Sequence, residues 1–170
     1  MVSVRQMGDI DRVGIGYDLH RLSAGRRLVL AHVPIEFDRG PLGHSDGDVV
    51  LHAVIDAILG AAALPDIGEM FPDTDSRFRD ADSGGLLAGA LAAVRNAGYV
   101  PVNVDVVICA ERPKLSTYKP QMQTELARLL GISVASVGIK AKTGEGLAPI
   151  GTGEAIACTA VAGLRRAMPD

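Results

Sequence analysis

Apolar and polar residues alternate from residue 12 to residue 20, the mark of a half-buried strand. Short apolar runs at 27–30 and 33–37, with His32 near the turn between them, predict a hairpin. From 45 to 63, Val49, Ala53, Ile55 and Leu59 follow helical spacing and predict a long helix. Its first residues, 45–48, resemble a capping box with Asp in the place of Glu. Residues 65–83 are rich in Asp, Pro and Gly and read as a loop. A second helix is predicted over 84–97, ended by Gly98, and a third over 120–130, closed by Gly131. Between them the apolar run of Val104, Val106, Val107 and Ile108 marks a strand over 100–110. A short strand over 137–141, a Gly-rich irregular stretch over 142–153 and an Ala-rich final helix over 154–166 complete the pattern. Strands interspersed with helices, with no repeat or linker, predict one domain over 1–170 that mixes α and β structure. Residues 1–11 read as a flexible N-terminal extension.

Composition narrows the function. Of 170 residues, 48% are hydrophobic and only 4% aromatic, with no Trp, so the core is built of Ala, Val, Leu and Ile. The net charge is -3 and no basic run exists, which argues against a nucleic-acid partner. Any phosphate must be bound locally. Cys109 and Cys158 sit in apolar strings without a C-x-x-C pair and read as buried small hydrophobes. His52 and Asp56 interrupt the most apolar stretch, so no membrane span is expected. The N-terminus carries Asp9 and Asp11 and no apolar segment of the secretory kind, and the expected location is the cytoplasm.

Asp18 and His20 stand two apart on the first strand and therefore project to one face. His52 lies in the first turns of the first helix, with Asp48 and Asp56 one turn away on either side. One carboxylate and two imidazoles suit a first-row divalent ion, and Zn²⁺ with one open position fits the set. Asp48 or Asp56 is the candidate to orient the His52 ring from behind. The same residues also read as a polar strand edge and a packed histidine.

Two further segments suit an anionic substrate. His44 and Ser45 stand where a helix begins, and helix N-termini attract anions. Residues 142–146 combine Lys142, Thr143 and Glu145 with two glycines just after a strand, without the pattern of a Walker A loop. Glu145 could hold a hard metal such as Mg²⁺ together with substrate phosphates, or the segment could be a surface turn. Between these segments, the loop 66–75 packs its carboxylates around Pro and Gly and suits sugar hydroxyls.

Taken in order, Gly16-Tyr-Asp-Leu-His20, His44-Ser-Asp-Gly-Asp48, Leu51-His-Ala53, Asp66-Ile-Gly68 and Phe71-Pro-Asp-Thr-Asp75 resemble the methylerythritol cyclodiphosphate synthase family. Asn103-Val-Asp105, Pro113-Lys114, Pro120-Gln-Met122 and Gly153-Glu154 extend the resemblance from Val13 to about Ala167. It implies an α+β fold, a ferredoxin-like α/β sandwich with a sheet packed against helices, assembled as a homotrimer with shared sites. By the same resemblance, Asp18, His20 and His52 ligate one Zn²⁺ per subunit, and Glu145 holds Mg²⁺ or Mn²⁺ that bridges substrate phosphates. His44 and Thr143 take the positions that stabilise the transition state. Asp66, Ile67 and Gly68 fall near the methylerythritol unit, and Phe71, Pro72, Asp73, Thr74 and Asp75 also contact substrate. Ala110, Pro113, Lys114, Leu115 and Ser116 match the segment that holds cytosine. Ser45, Lys142 and Gly144 fall near the phosphates.

The implied reaction closes 4-diphosphocytidyl-2-C-methyl-D-erythritol 2-phosphate into a cyclic diphosphate and releases CMP, in the non-mevalonate route to isoprenoid precursors. Two departures stand out. Family members often carry Thr-Thr-Thr-Glu where this chain has Lys142-Thr-Gly-Glu145, and Phe and Arg where it has Pro149 and Thr152. The second difference falls in the trimer's central cavity. A metal-dependent phosphohydrolase and a non-catalytic trimeric binding protein remain the alternative readings, separated by product identity and by whether the metal set serves any turnover.

Overall fold

The computed structural model describes residues 10–42, 46–72, 74–75 and 81–168. Residues 1–9 of the expected extension, and the candidate residues His44, Ser45 and Asp73, lie outside the described residues. A five-stranded sheet runs in the order β4 (Arg39–Pro41), β1 (Arg12–Ala24), β7 (Ala155–Arg166), β5 (Tyr99–Cys109), β6 (Val137–Lys142). The β5–β6 pair is parallel and the other ladders are antiparallel. β2 (Leu28–Leu30) and β3 (Val33–Ile35) form the expected hairpin. Three longer helices accompany the sheet: α1 (Val49–Ala61), α3 (Ser83–Asn96) and α4 (Lys119–Leu130). The short α2 (Ile67–Met70) and α5 (Ala148–Gly151) sit within segments expected to be loop. The fold is thus α+β, with a sheet packed against helices. Among the described residues no helix is long and apolar enough to cross a membrane.

One expectation fails outright. Residues 154–166 form the central strand β7 and not a helix. Alanine favours helix by intrinsic propensity, but β1 and β5 take both of β7's edges, and tertiary pairing overrides so weak a preference. The connectivity changes with it. With the β2–β3 hairpin and the short helices set aside, the chain order is β1–β4–α1–α3–β5–α4–β6–β7, which differs from the ferredoxin-like order β-α-β-β-α-β.

Small residues in β1 have a purpose that periodicity does not disclose. A Cβ at Gly14 would lie 2.1 Å from the carbonyl oxygen of Ala57, and one at Gly16 would lie 2.0 Å from that of Ala53. The backbone of α1 therefore rests directly on β1, and only glycine permits that approach. Val50, Leu51, Val54, Ile55 and Ile58 are fully buried, so α1 is enclosed on nearly every side, as an apolar helix must be. The alternate positions of β1 face away from the helices, and Val13, Ile15, Tyr17 and Leu19 are exposed there.

The first helix starts at Val49, later than the capping pattern at 45–48 suggests, because Asp48 is its N-cap. The Asp48 carboxylate accepts from the N–H groups of Val50 and Leu51. It also accepts from Ala31 and His32, at 2.9 and 2.6 Å, which hold the left-handed turn between β2 and β3. Asp11 is tied into the sheet: its N–H donates to Leu164 and its carboxylate accepts from the Arg166 N–H.

Candidate metal centre and phosphate-facing cleft

Strand alternation puts Asp18 and His20 on the helix side of β1, the side of Gly14 and Gly16. His52, one turn into α1, comes down on them because those glycines let the helix sit close. His20 Nε2 lies 2.9 Å from Asp18 Oδ2 and 3.2 Å from His52 Nδ1, and His52 Nδ1 lies 3.0 Å from Asp18 Oδ2. Three potential ligand atoms, two from neighbouring positions of β1 and one from α1, thus form one tight triangle. Tetrahedral zinc with bonds of about 2.0–2.1 Å spaces its ligand atoms by about 3.3–3.4 Å, so the set fits with little adjustment. A fourth position stays open to a ligand from outside.

The same proximity shifts the titration of these groups. Burial works to raise the Asp18 pKa, but hydrogen bonds from His20 and His52 and their charges outweigh it and hold the carboxyl well below the usual range. For His52, burial opposes charge while the Asp18 carboxylate favours it, and the result is a raised value. Asp48 is fully buried, and burial lifts its carboxyl to about 6 against its backbone donors.

The residues behind His52 differ from those expected. Asp48 spends its oxygens on backbone N–H groups and acts on His52 through its charge. Asp56 accepts from the Ile67 N–H at 2.9 Å and so anchors α2. The ring is instead met by Ser83, whose Oγ lies 3.0 Å from His52 Nε2, and the Ser83 hydroxyl donates to Asp46. Spacing alone gives no sign of this, since Ser83 sits 31 residues from His52 at the end of a polar loop.

Asp66 caps α2 through the Glu69 N–H and, with Asp56 and Tyr17, lines a hollow of about 270 Å³ beside β1. Ile67 and Gly68 open α2, and Phe71 and Pro72 follow it, half-buried. Phe71 closes on α3, where a Cβ at Gly89 would meet its ring at 3.1 Å. Thr74 is exposed and Asp75 bonds back to Pro72 through its N–H.

At the far side of the sheet, Ala110, Pro113, Lys114, Leu115 and Ser116 line a cleft of about 450 Å³ with Lys142 and Thr143. The two segments are tied together: the Ala110 N–H donates to Lys142, and the Gly144 N–H donates to Glu111. Thr143 donates its hydroxyl to Glu145 at 3.0 Å. Glu145 is exposed, as a single carboxylate sharing a hard metal with substrate phosphates would be. Among the described candidates, Asp18, His20 and His52 form the triangle and the 110–116 residues join Lys142 and Thr143 in this cleft, while Asp66 lies with Asp56 in the separate hollow beside β1.

A helix-covered α+β sheet thus carries a carboxylate–imidazole triangle that could hold a metal ion. The chain belongs to the YgbB family, whose model matches residues 11–165. A relative from Bordetella petrii is 54% identical over 156 residues, spanning 92% of this chain and 96% of the relative. One from Salinibacter ruber is 49% identical over 156 residues, with 92% and 99% covered. Both bear the name 2-C-methyl-D-erythritol 2,4-cyclodiphosphate synthase. A solved 2C-methyl-D-erythritol-2,4-cyclodiphosphate synthase in its CDP-bound form superposes with a TM-score of 0.85 at 39% identity, covering 91% of this chain and 100% of that one. The Plasmodium falciparum IspF–CDP complex gives 0.81 at 32% identity, with 96% and 100% covered.

Proposed function

We propose that this chain catalyses the cyclisation of 4-diphosphocytidyl-2-C-methyl-D-erythritol 2-phosphate to 2-C-methyl-D-erythritol 2,4-cyclodiphosphate with release of CMP, as a lyase of the non-mevalonate isoprenoid pathway. The observation that carries this is the Asp18–His20–His52 triangle, set in a chain about half identical to synthases of that name over nearly its whole length.

Nucleophile and electrophile belong to one substrate molecule, so the protein's main work is to fold it. Good alignment in such a reaction contributes roughly 7–11 kcal/mol. Asp18, His20 and His52 would hold Zn²⁺ and Glu145 would hold Mg²⁺ or Mn²⁺, and such ions would supply Lewis acidity and offset developing phosphate charge. The chain does the rest. Asp18, held ionised by the imidazoles beside it, supplies the anionic member of the donor set. The cleft at 110–116, which Lys142 also lines, takes the cytosine largely through backbone, and Lys142, Gly144 and, by the family resemblance, Ser45 serve the phosphates. Asp66, Ile67, Gly68 and the 71–75 segment, Asp73 included, take the methylerythritol hydroxyls. Thr143, hydrogen-bonded to Glu145, and His44 stabilise the transition state.

A homotrimer with shared sites fits the spacing. Along one row of the sheet Asp18 pairs with Cys158, Cys158 with Ile108 and Ile108 with Ala141. Three strand steps of about 4.8 Å separate the triangle from the Lys142–Thr143 end by roughly 14 Å. One diphosphate cannot touch both within a single chain, but it can touch the triangle of one copy and the cleft of the next. The exposed Val13, Ile15, Tyr17 and Leu19 supply an apolar face for that assembly. In this reading the chain is one catalytic domain working in the cytoplasm.

Phosphorus NMR of the protein with Zn²⁺, Mg²⁺ and the cytidyl substrate tests the activity. Two coupled cyclic-diphosphate resonances together with CMP, abolished by a chelator, are expected. Linear phosphates would make the chain a hydrolase, and turnover unaffected by the chelator would refute the metal assignment.

A further inference from the structure

We propose that Ser83 and Asp46 form a positioning relay that fixes the proton of His52 on Nε2 and turns Nδ1 towards the Asp18–His20 group. Ser83 is buried to 0% exposure, one of two buried polar side chains among the described residues, Asp48 being the other. A serine hydroxyl carries one hydrogen, and a carboxylate only accepts. The Ser83 hydroxyl donates to Asp46 Oδ1, so its 3.0 Å contact with the His52 ring must be donated by Nε2–H. Nδ1 faces Asp18 and His20 and, 3.0 Å from the Asp18 carboxylate, carries a hydrogen of its own in the metal-free protein; with Nε2–H held by Ser83, Nδ1 is the nitrogen that exchanges its proton for a cation.

The relay is anchored at every joint. Asp46 grips Ser83 twice, through the hydroxyl and through its backbone N–H at 3.1 Å. The Asp48 N–H donates to Asp46 Oδ1, and Asp48 caps α1, the helix that carries His52. Asp82, the N-cap of α3, is held from outside by His32 Nε2 at 3.0 Å, which fixes where Ser83 begins that helix. A carboxylate behind a metal-binding imidazole is a general device for setting ring orientation and ligand strength. Here a serine is interposed, so the carboxylate reaches the ring at one remove.

The inference rests on the metal reading above, and its test separates the two. Zinc affinity of the full-length protein is measured by chelator competition for the parent, Ser83→Ala, Asp46→Asn and the double variant, each checked for parental helix content and oligomeric mass. Removal of such a partner typically weakens metal binding about 10–100-fold, and that loss is expected for each single variant. The double variant should lose no more than the worse single one, because the groups act in series. In the zinc-loaded parent the His52 Nε2 proton should be slow to exchange and shifted downfield in ¹H–¹⁵N spectra, and Ser83→Ala should abolish that signature. An Asp46→Asn amide cannot accept at both oxygen positions, so it tests the relay even if Ser83→Ala fails to fold. Parental zinc affinity in a folded variant, or additive losses in the double variant, would overturn the relay while leaving the metal site standing. A parent that takes up no zinc would overturn the metal reading itself.

Discussion

Replacing Gly16 by Ala tests the link between packing and the metal site most directly. The new Cβ would stand 2.0 Å from the carbonyl oxygen of Ala53 and 2.8 Å from the nitrogen of Ala57. Relaxed carbon–oxygen contacts lie near 3.3 Å, so α1 must retreat by about 1.3 Å or β1 must bend by as much. Both obstacles are backbone, so no side chain can swing aside. Overpacking of this kind costs typically about 1–3 kcal/mol. For a chain of this size the melting temperature should then fall by about 2–4 °C per kcal/mol. The larger effect falls on function, because Ala53 adjoins His52 and Gly16 is two residues from Asp18. Metal geometry tolerates about 0.2 Å, so the triangle opens well beyond its useful range. A misplacement near 1 Å costs on the order of 100-fold in rate. Thermal unfolding, zinc competition and turnover on the cytidyl substrate would be measured side by side. Gly60→Ala in the same helix is the control: a Cβ there meets nothing within 4 Å, and the variant should gain about 0.5–1 kcal/mol with zinc affinity unchanged. If Gly16→Ala melts like the parent and keeps its zinc, the close approach of α1 does not set the site.

His20→Ala and His52→Ala should each abolish stoichiometric zinc and reduce turnover to background, as read by metal analysis and phosphorus NMR; retained turnover without metal would sink the mechanism. His32 is held above its ordinary pKa, first by its hydrogen bond to Glu125, with burial opposing. A histidine raised in the folded state stabilises fully below about 6.5, and that stabilisation disappears as pH climbs through the raised value. His32→Asn, tolerable in this left-handed turn, should therefore lower the melting temperature at about pH 5.5 by an amount corresponding to no more than ~1 kcal/mol, since the partners are partly exposed. The gap should close at alkaline pH, and a gap that widens there would contradict the assignment. Ile15→Glu on the open sheet face should reduce the mass seen by light scattering towards that of one chain; an unchanged mass would place the subunit contacts elsewhere.

Much of this architecture was legible in advance, and the exceptions share a cause. Alternation disclosed β1 because one of its faces is covered and the other open. Helix stops at Gly98 and Gly131 were readable because both glycines take positive φ, as helix-ending residues often do. β7 reads as a helix because consecutive residues on both of its faces are buried, so it shows no alternation, and its alanines imitate a helix former. Asp18, His20 and His52 stood out as a candidate metal group by chemistry and spacing, and the family resemblance singled them out over a polar strand edge; the structure brings the three together. Ser83 and Asp46 did not stand out, because their role depends on where α3 starts relative to α1, which no local pattern encodes. Asp48 and Asp56 had the right chemistry and helical spacing, but the turns beside them had prior need of their oxygens.

Asp48 clasps the chain at two points, the turn at Ala31–His32 and the first turn of α1. The described chain between them, from Val33 to Leu42, is therefore a lobe clasped at its neck by Asp48 and paired to the rest of the fold through β3 and β4. Such a lobe can change length without disturbing what lies outside it, because each doubling of a closed loop costs only about 0.6 kcal/mol. Insertions should be accepted between Ile35 and Arg39, where Glu36 and Asp38 are exposed and no ladder passes. The neck admits no such variation: lengthening the turn at residue 31 or shifting residue 48 by one position would unclasp the hairpin and uncap the helix together. Length variants of this segment should accordingly sort into two populations, permissive in the lobe and intolerant at its neck.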